Sequence, residues 1–169
     1  MTQEYQYLSE YIIKLDGALN KELLASLTRT FEAGRDIAEH IQEVDLIALA
    51  EIQSSHYQNY STDVMPNIVF NDEGNKYSLE LDAIEYNTDE KRLCDLGGKG
   101  RSQRFVAFMF IVGSGESAEF RFPSQNVINN CKSGDALIFP PYFSHRFAVS
   151  PLGTGSVKTI NLYCCMQYQ

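Results

Sequence analysis

The chain has 169 residues, 44% of them hydrophobic and 21% charged, which suits one soluble domain with a buried core. Its formal net charge of −8 argues against a general nucleic-acid or anionic-membrane surface, since either would need a basic face. No apolar run approaches the length needed to span a membrane. A local basic groove stays open, because Lys91, Arg92, Lys99, Arg101 and Arg104 crowd one short stretch.

The polar N-terminus shows no signal-peptide pattern, and none of the spacings among Cys94, Cys131, Cys164 and Cys165 fits a zinc site. The four are expected to be reduced, partly buried thiols of a cytoplasmic protein. Cys164 and Cys165 are adjacent on a strand candidate, so their side chains should point to opposite faces and not bond to each other.

Tyr11–Leu15 reads as a short strand ended by Asp16-Gly17. Asn20 can cap the helix that follows, with Glu22 in its first turn and Leu23, Leu24, Leu27 and Phe31 on one apolar stripe. Residues 36–57 read as a second helix, apolar on both sides and therefore expected between layers. His40 and His56 lie in or beside it, where a lone histidine is far more often a surface or satisfied core residue than a ligand. Residues 61–76 read as a loop, punctuated by Pro66, Asn71-Asp72 and Gly74.

In Tyr77–Tyr86 the apolar and polar residues alternate, with Tyr77, Leu79, Leu81 and Ala83 on one face and Ser78, Glu80 and Asp82 on the other. That is the pattern of a half-buried strand. Arg104–Val112 is nearly continuous in apolar residues, hence a central buried strand. Ala118–Phe122 and Val127-Ile128 supply shorter strands. The last third begins with a Ser133-Gly134-Asp135 turn, the strand Ala136–Phe139 and a Pro140-Pro141 break. An exposed His145, a strand over Arg146–Val149, a Gly-rich loop and a final strand carrying Lys158 follow.

Helices in front and some eight strands behind make an α+β chain. The expected fold is an antiparallel jelly-roll (double-stranded β-helix) with N-terminal helices packed on the sheet. Residues 1–169 form a single domain, about 1–60 as helical support and 77–169 as jelly-roll core.

The run Gly134-Asp-Ala-Leu-Ile-Phe-Pro140, then His145-Arg146, Pro151, a Gly-rich loop and Lys158, resembles the C-terminal half of the 2-oxoglutarate/Fe(II)-dependent dioxygenases. The likeness is to their prolyl-4-hydroxylase-like branch. It implies a hydroxylase using Fe(II) and 2-oxoglutarate, with Asp95 and His145 as metal ligands. It also implies Lys158, thirteen residues beyond His145, as anchor of the far carboxylate. Tyr86 is a candidate partner for a cosubstrate carboxylate, with core packing the equal alternative. The family's His-x-Asp motif is incomplete: Leu93-Cys94-Asp95-Leu96-Gly97 has leucine where the first metal histidine belongs, and leucine cannot bind iron. On an extended strand Cys94 points away from the face shared by 93 and 95.

Three readings follow: an iron- and 2-oxoglutarate-dependent oxygenase, a relative that has lost iron and binds a small molecule or a protein segment, or an interaction domain. The substrate, small molecule or protein, is unreadable, and oligomerisation through sheet edges stays open. The stretch Leu96–Ser102 lacks the spacing of a phosphate-binding loop.

Overall fold

The computed structural model describes residues 5–9, 11–33, 77–87, 93–94, 96–97, 102–153 and 155–167. Their regular elements, in chain order, are β1 (Tyr5–Tyr7), β2 (Ile13–Leu15), α1 (Lys21–Glu32), β3 (Tyr77–Tyr86) and β4 (Ser102–Gly113). There follow β5 (Ser117–Phe122), β6 (Val127–Cys131), β7 (Ala136–Phe139), β8 (Ala148–Leu152) and β9 (Val157–Gln167). Single 3-10 turns occupy Pro123–Gln125 and Phe143–His145. The expected helix over 36–57 and the loop over 61–76 lie outside the described residues; among the described residues one helix, α1, packs on the sheet.

The strands form a six-stranded sheet in the order β1-β2-β7-β4-β9-β3 and a three-stranded sheet in the order β6-β5-β8. Every pairing is antiparallel. A bridge between Cys94 and Phe147 lays Cys94 alongside the chain entering β8. The result is a jelly-roll-like sandwich.

Both faces of the larger sheet are buried, and the strand period of two sorts the side chains between them. Val106, Phe108 and Phe110 of β4, with Ile160 and Leu162 of β9, face α1 through Leu27. Ala107, Met109 and Ile111, with Leu137, Phe139 and Tyr163, face the smaller sheet and its Ala118, Phe120 and Phe122. Phe122, Phe139 and Phe147 meet with ring centroids 5.2–5.6 Å apart. Such aromatic pairs contribute about 0.5–1.5 kcal/mol each beyond their buried area. Cys164 and Cys165 fall in the two different cores, as neighbours on a strand must. All four cysteines are free thiols.

The apolar stripe of α1 packs as expected, and Asn20 Oδ1 accepts a hydrogen bond from the Leu23 amide at 2.8 Å. Thr28 Oγ1 donates to the Val112 carbonyl at 3.0 Å, tying the helix to β4. At the turn before β7, Gly134 has φ +97, and its amide donates to the Ile111 carbonyl at 2.8 Å. A side chain would be strained there, which accounts for the Gly-Asp step. Asp135 completes the turn by accepting from the Gly17 and Lys132 amides at 3.0 and 2.9 Å.

Two expectations change. The chain around His145 is a 3-10 turn and β8 begins only at Ala148, because the Pro140-Pro141 break keeps this segment out of the ladder. The polar face of β3 is partly covered: Glu80 and Asp82, 35% and 33% exposed, turn toward the smaller sheet, and Leu81 packs on the side of α1. Among the described residues no helix is long and apolar enough to cross a membrane.

Candidate functional site

The inner face of the larger sheet, where β3 pairs with β9, carries a polar seam. Asp82 stands opposite Asn161, and Glu80 opposite Tyr163. Asn161 Nδ2 donates to Asp82 Oδ1 at 2.9 Å, and the Tyr163 hydroxyl donates to the same oxygen at 3.0 Å. Arg104, entering from β4, donates through Nε to Glu80 Oε2 at 2.8 Å and lies 3.5 Å from Asp82 Oδ2 through Nη2. Its guanidinium also sits 3.7 Å over the Tyr163 ring and donates to the Leu96 carbonyl at 3.2 Å. Burial works against the charge of Arg104, but Glu80, Tyr163 and Asp82 outweigh it and raise its pKa. Burial, followed by the Asp82 charge, pushes the Tyr163 phenol far above its usual range, so it acts only as a neutral donor.

Next to this satisfied network lie three polar atoms that are not satisfied. Among the described residues, the Tyr86 hydroxyl, Thr159 Oγ1 and Asn161 Oδ1 are buried and have no well-formed hydrogen-bond partner. Thr159 and Asn161 are two residues apart on β9, so they share its inner face, and Tyr86 closes the row from β3, opposite Val157. Thr159 faces the Tyr86 hydroxyl, short of a well-formed hydrogen bond. Desolvation raises the Tyr86 pKa far above its usual value. Its ring packs edge-on against Phe147, with centroids 6.1 Å apart. Uncompensated buried polar atoms cost about 1–3 kcal/mol each, so a row of three calls for a ligand or water.

His145 sits elsewhere, at the end of the sandwich beyond β7. It is buried, with 8% of its surface exposed, rather than exposed as its turn context implied. Its ring meets Tyr11 edge-on at 6.2 Å, Nδ1 lies 2.9 Å from Ser144 Oγ, and Nε2 is buried without a partner among the described residues. Burial lowers its pKa, so the imidazole is neutral at pH 7.

Lys158 falls on the other side of the larger sheet. It pairs with Glu85 and Gly113, shares the parity of Ile160, and sets its ammonium 5.7 Å from the Phe31 ring of α1. The inward positions at that point of β9 are Val157 and Thr159, both fully buried. Asp95 lies outside the described residues. Leu93 is 44% exposed, and the side chains reaching the inner core from that segment are Cys94 and Leu96. Among the described residues, no contact joins Tyr86, His145 and Lys158 to one another.

The iron and 2-oxoglutarate implied by the motif resemblance can be tested against these positions. The free Nε2 of a neutral His145 suits a metal. Among the described residues the others do not fit: Leu93 offers no donor, and Lys158 cannot reach the interior from the helix-covered face. Among the described residues no three His, Cys, Asp or Glu side chains converge.

No protein-family model matches the chain, and no curated protein matches its sequence. Solved structures do. A truncated form of viral collagen prolyl hydroxylase from Paramecium Bursaria Chlorella virus-1 matches with TM-score 0.65 at 16% identity, over 92% of this chain and 90% of that one. The same viral protein in complex with 2-oxoglutarate matches with TM-score 0.61 at 16% identity, over 92% and 96%. The chain has the prolyl hydroxylase fold. At this identity the likeness covers the fold and leaves the chemistry to the residues.

Sequence reasoning singled out Tyr86 and named Arg104 as part of a basic stretch, but passed over Asp82, Thr159, Asn161 and Tyr163 as site residues. One signal was present: Thr159, Asn161 and Tyr163 alternate with apolar residues on a strand otherwise rich in core residues. Polar residues at the inner positions of a central strand are either satisfied in pairs or await a ligand.

Proposed function

We propose that this chain is a dioxygenase-like protein that binds a small polar molecule inside its sandwich, without Lys158 as a cosubstrate anchor. The observation that carries the reading is the row of unpartnered buried atoms on Tyr86, Thr159 and Asn161. A fold kept for packing alone would gain by filling these positions with apolar side chains. The test is Thr159→Val in the ligand-free protein. Removal of an unsatisfied hydroxyl should stabilise the fold by about 1 kcal/mol, read as a higher midpoint in urea. A lower midpoint would mean that Oγ1 is already bonded within the fold and that no vacancy for a ligand exists.

A second reading, a working iron- and 2-oxoglutarate-dependent hydroxylase, is favoured by the free, neutral Nε2 of His145 and by the fold. It predicts a visible charge-transfer band when Fe(II) and then 2-oxoglutarate are added under anaerobic conditions, lost in His145→Ala. No band from wild-type protein would remove this reading.

A further inference from the structure

We infer that the sandwich interior selects an uncharged, donor-bearing molecule, of the class of a small amide, over a dicarboxylate such as 2-oxoglutarate. The inference rests on the reading of the interior as a ligand site and adds the chemical class of what enters it. Three features of the seam carry it.

The first is the hydrogen-bond polarity of the row. Asn161 donates through Nδ2 to Asp82, which orients the amide and leaves Oδ1 as the unpartnered atom. That oxygen only accepts, so its partner must carry an N–H or O–H. A dicarboxylate is ionised at neutral pH and has only acceptors. It could take hydrogen bonds from Tyr86 and Thr159 but would set its own oxygens against Asn161 Oδ1. An amide supplies both kinds of group.

The second feature is charge. Glu80 and Asp82 bring two negative charges to the seam and Arg104 brings one positive charge, already engaged by both carboxylates. A dianion would enter against a wall that is net negative among the described residues, with its charge desolvated and unpaired. The third feature is the place where a cation would serve. The inner side chains at the start of β9 are Val157 and Thr159, and Lys158 is turned away under Phe31. Lys14, the one buried lysine among the described residues, is held by Asp16 at 2.7 Å and lies 3.7 Å from Asp135.

The experiment compares three probes of similar length by calorimetric titration: succinamide, succinate and 2-oxoglutarate. Each is titrated into wild-type protein and into the near-isosteric variants Thr159→Val and Tyr86→Phe. The expected result is succinamide binding at least tenfold more tightly than either dianion, weakened at least fivefold by each substitution. Dianion binding as tight as succinamide binding, and equally sensitive to the two substitutions, would overturn the inference while leaving an interior site in place. No binding of any probe, or binding indifferent to both substitutions, would overturn the interior site and the inference with it. The stability of Thr159→Val then reports on the site independently of any probe.

Discussion

At the scale of single residues, His145 couples the fold to pH. Its folded pKa is lowered from 6.5 by burial, and its Nε2 has no partner to share a proton. Well above pH 6.5 the imidazole is neutral in both folded and unfolded chains and has no effect on their balance. As the pH falls below that value the unfolded chain takes up a proton that the native state resists, so stability is lost until the folded pKa is passed. The melting temperature of wild-type protein should therefore fall more steeply from about pH 7.5 to about 5.5 than that of His145→Gln. Equal slopes would mean that another group governs the acid limb. The motif pattern located this histidine in the chain but not its burial, which comes from the ring of Tyr11 and the turn behind the Pro140-Pro141 break.

At the scale of elements, local chemistry was readable wherever it depends on near neighbours. Asn20 caps α1 because its side chain reaches an amide three residues on, and the Leu-rich stripe follows from the helical period. Asn20→Ala should lower stability by about 1 kcal/mol, seen as a shift in the urea midpoint with an unchanged slope. A change in slope would instead point to partial unfolding of α1 in the native state. Strand positions were equally legible for β3, β4, β7 and β9. What failed was the choice of face. The alternation of β3 separates polar from apolar residues but cannot say which side meets water when both sides are covered. A shift of one position decides the fate of a side chain. Lys158 misses the interior by one residue, and Val157 and Thr159 occupy it.

At the scale of the whole molecule, β9 is the last strand in the chain and lies inside the larger sheet, between β4 and β3. Its pairing joins Tyr77 to Met166 and Tyr86 to Val157, so the sheet cannot close until residues 157–166 are available. Non-local pairing of this kind places folding in the range of roughly milliseconds to seconds or slower. Removal of residues 157–169 should abolish the cooperative unfolding transition, monitored by circular dichroism in urea, because both neighbours lose their ladder and both cores lose a wall. A truncated chain that still unfolds cooperatively would show that β9 is an addition to a sheet formed without it. The same topology builds the seam, since Asp82, Arg104 and Asn161 come from three strands that meet only through this closure.

The amino-acid sequence by itself determined the strand-rich class, the cap and stripe of α1, the glycine turn before β7 and the resemblance of its last third to a dioxygenase. Each of these rests on interactions within a few residues or on a motif in one stretch. Only the tertiary structure decided that Lys158 lies under α1, that His145 is buried, and that Tyr86, Thr159 and Asn161 form a row with no partners. Those outcomes depend on which covered face of a two-sided sheet a residue enters. Alternation along a strand records that two faces differ, and the packing of a helix and a second sheet against them decides what each face becomes.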